Sequence, residues 1–429
     1  MRNDMSVINN ILKDVPIPKV VKVRQKFDAN RIEDVSEYMK RELRSKGLQQ
    51  KIKPGMSIAV GAGSRGIDNH KEIVKEVVDF LKECGAEPFV FPAMGSHAGA
   101  NAQGQKEMLA GYGITEEYLG CPVRATMETV VAGRTEDGLE VYTDLYASQA
   151  DGIVVINRIK PHTAFRGTYE SGLFKMLTIG MGKQRGAKSM HEAGYQYFAE
   201  RIPLFANIVM RRFPVLFGVG IVENAFDKTA YIEAIPAEQI AEREPELLKM
   251  AFSKMAQLYL PETDILIVKE IGKNISGSGM DPNITGRWPS AYASGGLKSQ
   301  KVGIMRLSEL SHGNFMGLGH AEATTRACFD ELDFAATYPN ALTNTVMFTS
   351  RIPVVLDTEK LVIQALINGC VGIDKQMPRM IFIKNTMEME TIYVSEAHLE
   401  EVRKIPSLEI LEEAEKLKFN EAGECIFNW

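Results

Sequence analysis

The feature that most constrains this chain is a recurring unit: a short apolar run, a glycine turn, then a helical stretch. MSIAVGAGSRGID (56–68) reads as a strand entering a glycine turn. HKEIVKEVVDFLKECG (70–85) follows, with Ile73, Val74, Val77, Val78 and Leu81 at helical spacing and Gly85 as the stop. EPFVFPAM (87–94) reads as the next strand and QGQKEMLAGYG (103–113) as a short helix. ADGIVVINRIK (150–160) and VLFGVGIVE (215–223) read as buried strands. Strands alternating with helices predict an α/β fold with mostly parallel sheets.

At 429 residues the chain is long enough for two or three domains of about 150 residues. A charged helical segment (237–260) ends at Pro261, and TDILIVKE (263–270) starts a new strand, which places a boundary near residue 262. The expectation is an N-terminal α/β domain over 1–262, a C-terminal α/β domain over 263–429, and an active-site cleft between them. Strands are expected near 302–306, 353–356, 380–384 and 391–394. SLEILEEAEKLKFN (407–420) reads as an amphipathic helix packing back on the first domain.

Composition excludes several classes. A formal net charge of −5 argues against binding along a nucleic-acid backbone, which needs a basic face. Five cysteines without a C-x-x-C pair fit neither a disulfide framework nor a cysteine zinc site, and agree with a reducing cytoplasm. No secretory h-region is visible at the start. The most apolar stretch, 201–222, is broken by Arg211-Arg212 and two prolines, so no membrane span is expected.

The candidate chemistry follows strands. His97 lies in FPAMGSHAGANAQGQ, where small residues leave room beside the backbone, after a strand whose carboxyl end is the usual ligand position in open α/β sheets. His162 follows another strand and is crowded by Arg158, Lys160, Arg166 and Lys175. That set reads as an anion site and pushes a histidine towards its neutral form. Lys175, between Phe174 and Met176-Leu177, is placed for desolvation, which makes a lysine nucleophilic. His191 lies in GMGKQRGAKSMHEAGY, where Lys183, Arg185 and Lys188 surround two glycines in what reads as an anion-binding turn. GAGSRG (61–66) meets the G-x-G-x-x-G spacing between a strand and a helix, a phosphate or carboxylate signal with Gly63 and Ser64 in the turn and Arg65 as its charge. Taken alone, these residues also fit a nucleotide-dependent oxidoreductase or a non-catalytic binding protein of the same fold.

The ordered set resembles the nickel-dependent lactate racemase family: Arg65 after a strand, His97 in GSH, His162 in KPH, Lys175 in SG-x-x-K, and His191 sixteen residues later. The resemblance implies a nickel pincer nucleotide covalently attached through Lys175, with His191 as nickel ligand and His97 and His162 as the acid/base pair. It implies an isomerase, a cytoplasmic racemase or epimerase of a 2-hydroxy acid that moves hydride through a 2-keto acid. Arg65 would contact the substrate carboxylate or the cofactor phosphate. Loading would depend on the cofactor-synthesis enzymes as partners. The chain departs from the family pattern at Ala62, at Ala98, in the longer stretch between His162 and Lys175, and in 272–288. That last segment offers Asn274, Asn283 and Arg287 as substrate contacts and points to a 2-hydroxy acid other than lactate.

Overall fold

The computed structural model describes residues 6–64, 66–192 and 194–429, and leaves out the side chain of Thr343. The chain divides into two compact units, one of residues 29–255 and one of residues 1–28 with 256–429. Both are α/β.

Strand β1 (Lys19–Gln25) belongs to the unit that contains the C-terminus. In the unit of residues 29–255, β2 (Ser57–Ala62) leads through helix α1 (His70–Glu83) to β3 (Glu87–Pro92). Helix α2 (Ala102–Gly111) follows, then an antiparallel hairpin of β4 (Thr129–Arg134) and β5 (Glu140–Asp144). Next come β6 (Gly152–Arg158), helices α3 (Lys183–Glu192) and α4 (Phe198–Arg212), β7 (Val215–Glu223), β8 (Thr229–Pro236) and α5 (Ile240–Lys254). The five-stranded sheet has the order β3-β2-β6-β7-β8, parallel except for the β7–β8 pair. Ile58 and Val60 on β2 and Ile153 to Ile156 on β6 are fully buried, as in a parallel sheet covered on both faces. The chain leaves β2 to one side for β3 and leaves β6 to the other side for β7. The crevice beyond the carboxyl ends of β2 and β6 is therefore the switch point where such sheets take ligands.

The other unit adds β9 (Glu262–Ile271), β10 (Lys298–Leu307), β11 (Ala323–Thr325), β12 (Val354–Leu356), helix α6 (Glu359–Gly369), β13 (Met380–Ile383), β14 (Thr391–Ser395), β15 (Leu408–Ile410) and β16 (Glu415–Lys416). Its sheet runs β12-β11-β10-β9-β13-β14-β1-β15, parallel from β12 to β13 and antiparallel beyond, with β16 also pairing β1.

Two sequence expectations need correction here. Residues 6–28 group with the C-terminal half, because β1 is an interior strand between β14 and β15. The buried Gln25 amide also donates to Met389 O (2.7 Å) and Gln257 O (3.1 Å) and accepts from Tyr259 N–H (3.1 Å). The expected helix over 407–420 is instead β15 and β16. An exposed β1 edge would be an unpaired strand, and the tail covers it. The glutamates that gave the segment its helical pattern meet cations on and beside β1: Glu409 with Arg24 (3.7 Å) and Lys26 (3.2 Å), and Glu412 with Lys22 (3.6 Å).

Candidate active site

Three parallel strands deliver candidate residues at their carboxyl ends. After β2 come Gly63 and Ser64; Arg65 lies outside the described residues. A side chain at Gly63 would meet Asn157 Oδ1 at 3.2 Å and Met176 Cε at 3.3 Å, so this glycine admits the Met176 segment against the strand end. Ser64 O accepts from the Tyr112 hydroxyl at 2.8 Å.

After β3, the turn carrying His97 is wound through left-handed backbone at Gly95, Ala98, Gly99 and Ala100 (φ +51 to +64°). Only small residues tolerate such a run, which accounts for its Gly/Ala composition. His97 is exposed, and its Nδ1 lies 2.7 Å from Met94 O. A carbonyl only accepts, so Nδ1 is the donor and the imidazole lone pair sits on Nε2.

After β6, His162 shows the opposite arrangement. Its Nδ1 accepts from Ala164 N–H at 3.0 Å, which puts the neutral ring's proton on Nε2. Desolvation, then the Lys175 ammonium, His191, Arg166 and Lys160, push its pKa well below the ordinary value, so the ring is neutral. The stretch of twelve residues between His162 and Lys175 is a closed loop rather than slack. Lys160 and Ser171 exchange backbone hydrogen bonds (2.9 and 3.2 Å), and buried Glu170 accepts from His162 N–H (2.6 Å), Gly167 N–H (3.3 Å) and Arg166 (3.2 Å). The four cations expected to form an anion site are partly spent: Arg158 pairs with Glu223 and Arg166 with Glu170.

Lys175 ends a helical turn (Leu173–Lys175) that passes directly into a π-helical turn (Met176–Gly180). Such π segments frequently mark functional positions. The turn is held from below by Glu244 on α5, whose Oε2 accepts from Phe174 N–H at 2.9 Å. A Cβ at position 172 would lie 2.0 Å from Glu244 Oε1, which is why a glycine stands three residues before the lysine. Glu244 is 1% exposed, and burial raises its pKa to about 8.

His191, on α3, shares its surroundings with His162. The His191 ring lies 5.7 Å from Tyr195 and 5.2 Å from Phe198, and the His162 ring lies 6.4 Å from each. Burial, with the Lys175 charge second, lowers the His191 pKa to about 4, keeping the imidazole in its metal-binding form. His162, Lys175 and His191 are thus one group. The His97 turn joins the same segment through Gly95 N–H to Gly180 O at 3.0 Å. Among the described residues, no cluster of three or more His, Cys, Asp or Glu side chains could hold a metal by itself.

The turn before His191 is not the anion loop its cations suggested. Lys183 is fully buried against Asp144, while Arg185 and Lys188 point to solvent. Its glycines serve close packing: a Cβ at Gly182 would stand 2.3 Å from Thr178 O, and one at Gly186 3.1 Å from the same oxygen. In the other unit, Asn283 donates to Asp281 Oδ1 (2.8 Å), Arg287 pairs with Glu322 (3.1 Å), and Asn274 is exposed. Glu244, Glu170, Asp144 and Gln105 carried no local sequence signal, since each meets its partners only through the fold.

Residues 52–233, all within this unit, match the family model described as a domain of unknown function (DUF362). No curated protein matches the chain. Among solved structures, the lactate racemase apoprotein from Thermoanaerobacterium thermosaccharolyticum is similar, at 14% identity and a TM-score of 0.45, over 86% of this chain and 91% of that one. No helix among the described residues is long and apolar enough to cross a membrane.

Proposed function

We propose that the unit of residues 29–255 carries the active centre of a racemase or epimerase of a 2-hydroxy acid, with a nickel pincer nucleotide tethered to Lys175 and His191 as the protein's nickel ligand. The observation that carries this reading is the gathering of Lys175, His191 and His162 around Tyr195 and Phe198 at the ends of parallel strands. The residues fit the group. Two neutral imidazoles, His191 and His162, stand with the half-buried Lys175, and among the described residues no three His, Cys, Asp or Glu side chains cluster as a ligand set, as suits a metal whose other donors come from a cofactor. When bound, the cofactor would supply a hydride acceptor and donor, avoiding a carbanion beside a carboxylate.

The chain's own residues then move the hydroxyl proton. His97, with its lone pair on Nε2, is set to take the proton from the substrate oxygen as the C2 hydride departs, leaving a planar 2-keto acid. His162, with its proton on Nε2, is set to give it to that oxygen from the opposite face, and regains a proton from solvent as His97 releases the one it took. In the reverse direction the roles exchange, and His162 must then give up the Ala164 contact to present a lone pair.

The test is a panel of optically pure 2-hydroxy acids, lactate included, followed by polarimetry with chain produced alongside the cofactor-synthesis enzymes. Loss of optical rotation with one member, and a better rate than with lactate, is expected. No change across the panel, with cofactor present, contradicts the proposal.

A further inference from the structure

Two fully buried charged groups of the unit of residues 29–255, Lys183 and Asp144, stand outside the proposed acid/base and metal residues. Lys183 has no exposed surface, and its backbone is held at φ +55°, a conformation costly for any residue with a Cβ. Its Nζ lies 3.0 Å from Asp144 Oδ2, donates to Pro92 O at the end of β3, and lies 3.4 Å from Gln105 Oε1. Asp144 is equally buried and also accepts from Ala147 N–H at 3.0 Å, so its place is fixed by the β5 end. Gln105, itself fully buried on α2, uses its Nε2 to donate to Gly95 O (3.0 Å) and His97 O (3.2 Å).

The path is continuous. Asp144 orients Lys183, Lys183 orients the Gln105 carboxamide, and that carboxamide grips both ends of the turn that presents His97. Lys183 is also the first residue of α3, the helix that carries His191 eight residues on. A left-handed residue persists only where its surroundings over-determine it. A fully buried lysine is rare unless paired, and its pairing here ends, through Gln105, on the loop that carries His97.

From this geometry we infer that Lys183, Asp144 and Gln105 are positioning residues, which lock the His97 turn to the helix bearing His191 so that the acid/base group and the metal ligand keep one spacing. The inference rests on the proposed function for its purpose, while the mechanical link itself can be tested without it. Displacing a catalytic group by about 1 Å costs on the order of 100-fold in rate.

The experiment compares Gln105→Leu, Gln105→Glu and the charge-neutral pair Lys183→Met/Asp144→Asn with the unaltered full-length chain. The pair removes both buried charges together and so avoids stranding one. Gln105→Glu keeps the size and the Lys183 contact but cannot donate to two carbonyls. Amide hydrogen exchange over 94–105 is read first, in chain without cofactor. All three variants should exchange this segment at least 10-fold faster, with helix α4 unchanged. In loaded enzyme, kcat for racemisation should fall about 10–100-fold, with KM, adduct mass and nickel content unaltered. Wild-type exchange in Gln105→Leu, or wild-type behaviour of Gln105→Glu, overturns the inference. If the unaltered chain never acquires an adduct, the functional reading fails, and the exchange data still decide whether the link exists.

Discussion

In the unit of residues 29–255, His162, Lys175 and His191 gather beyond the end of β6 and the His97 turn is bonded to the same segment, and their carriers are packed so tightly that glycine is required at Gly172 and Gly182. In the other unit, the segment 272–288 carries as many polar groups, yet Arg287 pairs with Glu322 and Asn283 folds back on Asp281. Both stretches look like ligand loops when read as sequence. The difference lies in what the fold does with the side chains. In one unit buried groups such as Glu244 and Gln105 are spent on holding other residues in place; in the other the loop residues hold their own loop. A polar loop residue marks a site when its neighbours position it, and marks only a turn when it satisfies its neighbours.

The sharpest way to break this contrast is to remove the histidines. His97→Ala and His162→Ala should each lower racemisation by about 10²–10⁴-fold while leaving adduct and nickel in place, since in the proposed mechanism each serves one face and inversion needs both. Either variant racemising at the wild-type rate in both directions would remove the two-histidine mechanism.

Glu244→Ala comes next. It strips the acceptor from Phe174 N–H and leaves a cavity under the Lys175 turn, for an expected loss of about 2–4 kcal/mol in denaturant unfolding. Glu244→Gln is the sharper variant. The native carboxyl titrates near pH 8 and the unfolded one near 4.5, so the folded state binds the extra proton between those values. Wild-type stability therefore declines as pH rises from 4.5 to 8, and the Gln variant should gain on it steadily across that window. A constant difference with pH would show that the carboxyl is not held protonated.

His70, at the start of α1, has the opposite sign. Burial, with Arg158 second, lowers its pKa to about 4 from 6.5, and neither ring nitrogen has a hydrogen-bond partner among the described residues. Here the unfolded state binds the extra proton, so stability is lost as pH falls from 6.5 to 4. His70→Leu should abolish about 2–3 kcal/mol of that acid loss, read from unfolding midpoints at pH 7 and pH 4.5.

The smallest effect is expected in the other unit. Arg287→Ala breaks a partly exposed ion pair and should cost about 0–1 kcal/mol with racemisation within about 3-fold of wild type. A 100-fold fall in kcat/KM would instead give Arg287 the substrate role its sequence context suggested.

Much of this was legible before the fold was in view. The strands at 57–62, 87–92, 152–158 and 215–223 and the helix at 70–83 follow from apolar periodicity, and the positions of His97 and His162 follow from strand ends. What misled was charge. Lys183 in a glycine-rich stretch looks like an anion ligand until Asp144, 39 residues earlier, is seen to pair with it. The glutamates of 407–420 satisfy a helical period and also satisfy the cations of β1, and pairing with an open strand edge decided between them. Glu244 was illegible because its partner, Phe174 N–H, is 70 residues away and belongs to the backbone.

The central claim is that Lys175 tethers a cofactor whose metal His191 completes, and intact mass with nickel analysis tests it most directly. Chain produced with the cofactor-synthesis enzymes should carry a mass increment localised to Lys175 together with nickel. His191→Ala should keep the increment and lose nickel on dialysis, and Lys175→Ala should show neither. An undiminished adduct on Lys175→Ala, or no adduct on the wild-type chain under those conditions, would contradict the account.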